Sequence, residues 1–161
     1  MPDRPRHLDS PLVTTLIKYM SKAQVWAFRR TRGRIGGQWR IGAGFRKPVP
    51  VLLLEHRGRK SGKLFTVPLL YLVDGTDLVI VASQGGLPSH PQWYFNLLAH
   101  PATRVQIGAE HRRVHARVAT RAERDRLWPL LVALYADFDT YRSWTEREIP
   151  VLLLQPEDGS H

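Results

Sequence analysis

The pentapeptide Gly58–Gly62, which reads Gly-Arg-Lys-Ser-Gly, combines the residue types that bind anions. Glycines let a tight turn bring its backbone N–H groups close to an anion, and the side chains of Arg59, Lys60 and Ser61 add further donors. Apolar runs typical of β-strands lie on both sides of the segment. The sequence therefore predicts a β-hairpin whose turn holds a phosphate or a carboxylate. The alternative is a solvated basic loop that binds nothing.

Positive charge is concentrated in the same part of the chain. Residues 1–63 contain fifteen Lys and Arg against three acidic residues, a balance of +12, whereas residues 64–161 contain nine against eleven, a balance of −2. Such an excess fits nucleic acid, an anionic membrane surface or a polyanionic small molecule as partner. A basic face that only aids solubility is the remaining alternative.

The composition is that of one globular domain. The chain has 161 residues, of which 43% are hydrophobic, and this is enough to bury a core. It has no cysteine, which excludes disulfides, thiol redox chemistry and cysteine-ligated metals, and a reducing compartment is expected. No apolar run reaches the roughly 20 residues that cross a bilayer, and no signal-peptide pattern begins the chain, so a cytoplasmic protein is expected.

A metal site is not expected. His111 and His115 have the i, i+4 spacing of a helical metal-binding pair, but they fall in a predicted strand. At about 3.3 Å per residue, a strand separates the two side chains by roughly 13 Å.

The pattern along the chain predicts a flexible arm over residues 1–10, an N-terminal helix with a glycine-rich basic connector over 11–48, and a β-rich domain over 49–161. Predicted strands cover residues 50–56, 64–73, 77–82, 104–107, 111–119 and 149–154. Predicted helices begin at Pro91, at Thr120 and near Tyr135. Thr120 and Glu123 form a capping-box pattern, and Pro129 is expected to kink or split the helix that follows. Because regular βαβ alternation is missing, the expected fold is α+β, a mainly antiparallel barrel with packed helices.

Two further stretches have the composition of a ligand pocket. Residues 82–86 and 91–97 combine a serine and glycines at a strand end with a helix that begins with Trp and Asn, which suits a flat heteroaromatic ring. Residues 135–145 and 147–151 are aromatic with polar neighbours, which suits the wall of an apolar pocket. In both stretches the alternative is that the aromatic residues belong to the core.

Taken together, the three stretches resemble the deazaflavin-dependent nitroreductases, small reductases that use coenzyme F420. The resemblance covers nearly the whole chain, and its strongest parts occur in order at the family's spacing. These parts are Gly58-Arg59-Lys60-Ser61-Gly62 with Pro68-Leu69; Ala82-Ser83, Gly85-Gly86, Pro91, Trp93-Tyr94 and Asn96-Leu97; and Ser143-Trp144-Thr145 with Ile149-Pro150.

The resemblance implies a split β-barrel of the FMN-binding type with coenzyme F420 as cofactor. Arg59, Lys60 and Ser61 would then hold the cofactor's phosphate and glutamyl tail. The ring and ribityl chain would be lined by residues of a strand, a strand end and a helix: Phe65, Thr66, Val67, Pro68, Leu69, Leu70, Val81, Ala82, Ser83, Gln84, Gln92, Trp93, Tyr94, Phe95, Asn96 and Phe138.

Three positions depart from the family pattern. Phe65 stands where the family commonly has Arg, and Gln84 where some members have Lys, so positive charge is lost near the cofactor. Phe138 stands where the best-known nitroreductase branch has Tyr, which removes one hydroxyl.

The expected reaction is transfer of a hydride from reduced F420 to an electron-poor quinone, enone or nitro compound. Ser83, Tyr135 and Tyr141 are the candidate catalytic residues, which would polarise the acceptor or relay a proton. One alternative is a split-barrel oxidoreductase that binds FMN or another flavin. The other is a non-enzymatic binder of anions or nucleic acid, although no nucleic-acid-binding motif is found and no nucleic acid is expected as partner.

Residues 11–34 raise a separate hypothesis. An apolar stripe beside basic residues suits peripheral contact with an anionic membrane, at the inner face of the cell membrane, with access to a lipid-soluble quinone. The alternative is a lid packed over the mouth of the barrel. The sequence does not determine the oligomeric state.

Overall fold

The computed structural model describes residues 22–32, 38–39, 49–83, 90–135, 137–144 and 147–157. Residues 22–31 are helical and are called α1. The remaining elements, in chain order, are β1 (Gln38–Trp39), β2 (Val49–Arg57), β3 (Leu64–Leu70), β4 (Leu72–Asp74), β5 (Asp77–Val81), α2 (Gln92–Ala99), β6 (Ala102–Ile107), β7 (Glu110–Val118), α3 (Arg121–Leu134), α4 (Asp137–Trp144) and β8 (Val151–Pro156).

The strands form an antiparallel ring. β2 pairs with β3 on one side and with β6 on the other, and the ladder continues from β6 through β7, β8 and β5 to β4. Because β4 follows β3 with only Tyr71 between them, the ladder returns to its starting point. The short strand β1 adds to the beginning of β2. The structure thus confirms the expected α+β fold, a mainly antiparallel split barrel with packed helices.

Among the described residues, one edge of strand β3 has no ladder partner. The sequence predicts one strand over 64–73, but the ladder breaks at Tyr71, so that β3 pairs with β2 and β4 pairs with β5. Among the described residues no ladder joins β3 to β5, although the two strands contact each other. Pro68, which lacks an N–H, lies in β3, where such an open edge tolerates proline. We call this opening, between β3 and the end of β5, the seam.

Two apolar clusters explain why the strands are apolar on both faces. One fills the barrel and includes Leu54, Ile80 and Leu154. The other lies outside the sheet under α3 and α4, and includes Leu153 and Leu131. Since successive side chains of a strand point to opposite faces, β5 and β8 contribute alternate residues to the two clusters.

Helix boundaries follow the local signals. Thr120 and Glu123 form the predicted capping box at the start of α3. Glu123 also accepts two hydrogen bonds of 2.7 Å from Arg117, and these bonds, together with the backbone N–H of Thr120, lower the pKa of that carboxyl to about 2. The prediction that Pro129 splits the helix is wrong, because α3 runs as one helix through it.

Helix α1 packs on the barrel. Phe28 is fully buried, and the Arg29 guanidinium donates a 2.7 Å hydrogen bond to Thr66 Oγ1 of β3. On the opposite side of the helix the side chain of Trp26 is 68% exposed. No helix in the described part of the chain is long and apolar enough to cross a membrane.

Most predicted strands and helices occur within a few residues of their expected ends. The exception is β1, which lies in the predicted connector. The predicted arm over 1–10, the first part of the N-terminal helix and most of the connector lie outside the described residues.

Candidate active site

The predicted anion-binding turn joins β2 to β3. It is closed by the N–H of Gly58, which donates to Lys63 O at 2.8 Å, and by the N–H of Gly62, which donates to Gly58 O at 2.9 Å. A Cβ atom on Gly58 would lie 2.6 Å from Ser61 Oγ and would force that side chain to move, and Gly62 has φ +70°, so the turn favours glycine at both positions. The side chains of Lys60 and Ser61 are exposed.

Most backbone N–H groups of this turn are bonded within the protein. Besides those of Gly58 and Gly62, the N–H of Lys63 donates to Ser61 Oγ and that of Arg59 to Asn96 Oδ1. The N–H groups of Lys60 and Ser61 lie outside the hydrogen bonds described for the turn. An anion at this turn would therefore meet chiefly these two residues.

Arg59 is exposed, and its side chain binds helix α2. Its Nη1 donates to Asn96 Oδ1 at 2.9 Å and its Nη2 to Gln92 Oε1 at 3.0 Å. The guanidinium carbon also lies 5.1 Å from the centre of the Phe95 ring. Arg59 thus joins the turn to α2, and the prediction that it also holds the cofactor's tail stays a prediction.

A buried histidine completes this contact. Asn96 Nδ2 donates to His56 Nδ1 at 2.9 Å, and both side chains are buried. Burial lowers the pKa of His56 to about 4, so the ring is neutral and carries its proton on Nε2. Its other neighbour is Phe65, stacked at 5.5 Å between ring centres. Sequence reasoning missed His56, although Leu52, Leu54 and His56 share one face of β2.

The end of β5 forms the other side of the seam. Ala82 N donates to Pro150 O at 2.9 Å, which holds this end beside β8. Ala82 and Ser83 are buried, and their carbonyls accept hydrogen bonds from Arg147. Gln84, a predicted cofactor contact, lies outside the described residues.

The predicted cofactor residues of β3 lie along the seam. Phe65 is 45% exposed, and Thr66 to Leu70 are half-buried. In α2, Trp93 and Asn96 are buried, Tyr94 and Phe95 are half-buried and Gln92 is exposed. Described contacts thus join the turn to α2 and β3 to β5.

The predicted aromatic wall lies in the cluster outside the sheet. Tyr135 and Phe138 are buried there with their ring centres 5.1 Å apart, and Val81 belongs to the same cluster. This contact brings them to the end of β5, two residues before Ser83. They do not share the contacts of Arg59 and α2, and the side chain of Tyr141 lies outside what the structure describes.

A cavity of about 800 Å³ opens beside the start of α2. Its apolar wall includes Val118, Pro150 and Val151, and its rim is charged. The remaining lining residues are His90, Tyr94, Ala119, Arg121, Arg124, Asp125, Arg142 and Glu148. Among the residues that the structure describes around it, neither Ser83 nor Tyr135 is included.

The described residues contain no group of three or more potential metal ligands. His111 and His115 lie in β7 with both side chains exposed, as the strand prediction required.

Comparison with known proteins assigns the family. A family model described as F420H(2)-dependent quinone reductase matches residues 20–156. The chain therefore belongs to this family of oxidoreductases, which use reduced F420. This settles the choice between an enzyme and a non-enzymatic binder, and it names F420 rather than FMN as the family's cofactor.

Individual relatives agree with this assignment. Rv3178 of Mycobacterium tuberculosis (strain ATCC 25618 / H37Rv), whose name places it in the same family, is 59% identical over 117 residues, which cover 73% of this chain and 98% of the relative. A solved F420-H2 dependent reductase, FDR-A, is 38% identical with a TM-score of 0.61, covering 66% of this chain and 94% of that one. A structure described as a domain-swapped dimer is 30% identical with a TM-score of 0.63, covering 91% of this chain and 100% of that one.

The neutral state of His56 predicts a loss of stability on acidification. Because the folded protein lowers this pKa from 6.5 to about 4, the unfolded chain binds the proton more readily, and stability falls as the pH falls through this window. Between about pH 7 and pH 5, above the range where carboxylates titrate, the loss from this group is about 2 kcal/mol. Urea unfolding at each pH measures it.

His56→Gln should remove the share of this pH dependence that is due to His56 while leaving an amide in place of the ring, whereas the share of His90, whose pKa is also lowered, should remain. His115→Gln, at an exposed position on β7, is the matched control and should keep the wild-type pH dependence. An unchanged slope in His56→Gln would show that the buried ring is not the titrating group.

Proposed function

We propose that the chain reduces quinones with reduced F420, and that the cofactor lies along the seam with its phosphate and glutamyl tail at the turn 58–62. The observation that supports this proposal is the continuity of three surfaces: a basic turn, a half-exposed apolar strand and the end of β5. A cofactor with an anionic tail and a flat ring requires a basic surface for the tail next to an apolar surface for the ring.

The residues at the turn fit such a tail. Lys60 and Ser61 are exposed, and their backbone N–H groups lie outside the turn's described bonds, so side chains and backbone donors face the same point. Arg59 adds positive charge from its position against α2. Phe65, in place of the family's arginine, gives this site an apolar wall and one charge fewer.

The ring would lie against β3 and the end of β5. When bound, reduced F420 supplies a hydride and not readily single electrons, because a deazaflavin has carbon in place of N5. The protein orients the reactants and excludes water. The Ser83 hydroxyl polarises the acceptor, and Tyr135 and Tyr141 relay the proton that follows the hydride.

A quinone is the acceptor we propose, since it accepts a hydride and a proton without loss of an oxygen. Enones and nitro compounds are weaker candidates. Phe138 is buried and has no hydroxyl, so one proton donor of the nitroreductase branch is absent.

We also propose that the exposed side of α1 contacts an anionic membrane from the cytoplasmic side. Lys22, Trp26 and Arg30 are four residues apart, form one stripe and are all exposed. Phe28, on the side opposite Trp26, is buried, and Arg29 bonds to Thr66 of β3, so the helix can pack on the barrel and still present this stripe. Tryptophan beside basic residues is typical of such interfacial helices.

Lys60→Ala should weaken F420 binding about tenfold, because a charge-assisted contact with the tail is lost. Fluorescence titration at fixed salt measures the Kd. Arg113→Ala, which removes the same charge from an exposed position on β7, should leave the Kd unchanged. Equal weakening by both variants would show that only the overall charge matters. Arg59→Ala is less specific, because it also breaks the contact with α2.

Ser83→Ala and Tyr141→Phe should each lower kcat for menadione about tenfold or more, while the Kd for F420 changes little. Steady-state oxidation of reduced F420, followed by absorbance, gives both kcat and KM. Ser61→Ala is the comparison, since a residue at the tail should change cofactor affinity rather than kcat. If Ser83→Ala and Tyr141→Phe both leave turnover unchanged, these residues do not have the proposed roles.

Trp26→Ser should reduce flotation of the protein with vesicles that contain anionic lipid, because the apolar anchor is lost. Val73→Ser removes an equally exposed apolar side chain, 62% accessible, from β4 and should float like the wild type. Flotation with vesicles of neutral lipid measures how much of the binding depends on the charge of the lipid. Flotation unaffected by Trp26→Ser would remove the membrane proposal.

A further inference from the structure

Arg147 lies between α4 and β8 and bonds to both ends of the connection between β5 and α2. Its Nη1 donates to Ala82 O at 3.2 Å and its Nη2 to Ser83 O at 2.7 Å. Nη1 also lies 2.9 Å from Nδ1 of His90. One half-buried guanidinium thus contacts the residues just before and just after the segment 84–89.

The contact with His90 fixes that ring in one state. A guanidinium has donors only, so Nδ1 of His90 must accept and its proton must lie on Nε2. Burial, and then the charge of Arg147, lower the pKa of His90, which favours the neutral ring that this bond requires. Burial also lowers the pKa of Arg147 itself, but a guanidinium remains charged at any working pH.

His90 in turn contacts the first turn of α2. Its ring lies 4.8 Å from that of Tyr94 and 5.7 Å from that of Phe95, between ring centres. Phe95 is also the ring against which Arg59 packs, so a continuous set of contacts runs from Arg147 through His90 to the turn 58–62.

We propose that Arg147 is a positioning residue for the reduction, which holds the backbone of Ser83 and the start of α2 in fixed relation. This inference rests on the proposed function. The three described bonds of Arg147 go to protein groups, so it acts through the geometry of Ser83 and His90. Lysine should replace it poorly, because a single ammonium does not reproduce a planar fork directed at two carbonyls and a ring nitrogen.

Hydrogen exchange of the cofactor-free protein tests the positioning directly. In Arg147→Ala, amides in peptides that cover residues 81–83 and 90–95 should exchange about tenfold faster, whereas peptides from β6 and β7 should not change. Arg126→Ala is the matched control, since it removes an arginine that bonds to Asp74 on the far side of α3. Unchanged exchange at 81–83 and 90–95 would overturn the proposal. If Arg147→Ala does not fold, Arg147→Lys should show the same local increase at smaller amplitude.

Steady-state kinetics distinguish a positioning role of Arg147 from a general effect on the stability of the protein. Arg147→Ala should lower kcat for menadione about tenfold with less change in KM, and added guanidinium at about 50 mM, where its denaturing effect is small, should restore part of it. Arg126→Ala should show neither the loss nor the rescue. A fall in kcat without rescue, matched by Arg126→Ala, would indicate a structural role only.

The wild-type protein decides whether the proposed function itself holds. If it reduces no quinone with reduced F420, the proposed function fails, and with it the kinetic role of Arg147. If it does, and exchange at 81–83 and 90–95 is unchanged in Arg147→Ala, only the positioning role fails.

Discussion

The side-chain amide of Asn96 is the contact on which the arrangement of the site depends. Its oxygen accepts from the backbone and the guanidinium of Arg59, and its nitrogen donates to His56. The buried ring nitrogen of His56 would cost about 1–3 kcal/mol if left unpaired, and removing the amide would also break both hydrogen bonds from Arg59. Helix α2, the turn 58–62 and the inner face of β2 are thereby joined at one point. The protein, rather than its ligand, sets the shape of the turn, and Lys60 and Ser61 remain to meet an anion.

A second constraint is the break in the ladder at Tyr71. If the chain from Leu64 to Asp74 paired along its whole length with β2, β5 would keep its ladder with β8 but lose the one with β4. Because the strand changes partner, the ring closes and still leaves one edge of β3 unpaired. Unpaired edges usually invite further pairing, and this one is bordered by α2 and by the end of β5, which Arg147 and Pro150 hold in place. The unpaired edge of β3 is thus a consequence of strand pairing.

Local sequence patterns predicted the positions of the helices and strands well, but they predicted the contacts between these elements poorly. The capping box at Thr120 and the glycine turn are signals within a few residues, and the structure confirms them. The change of partner at Tyr71 depends on pairing between distant strands, which no local pattern encodes. Tertiary packing carries α3 through Pro129 unbroken, although local propensity favours a break.

The candidate site shows the same division. The basic turn could be recognised from its residue types, but the binding of Arg59 to α2 could not, because it needs the docked helix. Strand alternation places His56 beside Leu52 and Leu54 on one face, a signal that was available. No sequence signal indicated a role for Arg147, because an arginine between two glutamates is typical of a solvated loop. Its role becomes visible only when β8 brings it to the end of β5.

The central claim, that this opening is built for a deazaflavin with an anionic tail, is tested most directly by titrating the wild-type protein with F420 and with FMN in parallel at the same salt concentration. Saturable binding of F420, with FMN much weaker, is the predicted result. Binding of FMN alone, or of neither compound, would contradict the account of the seam and of the turn 58–62.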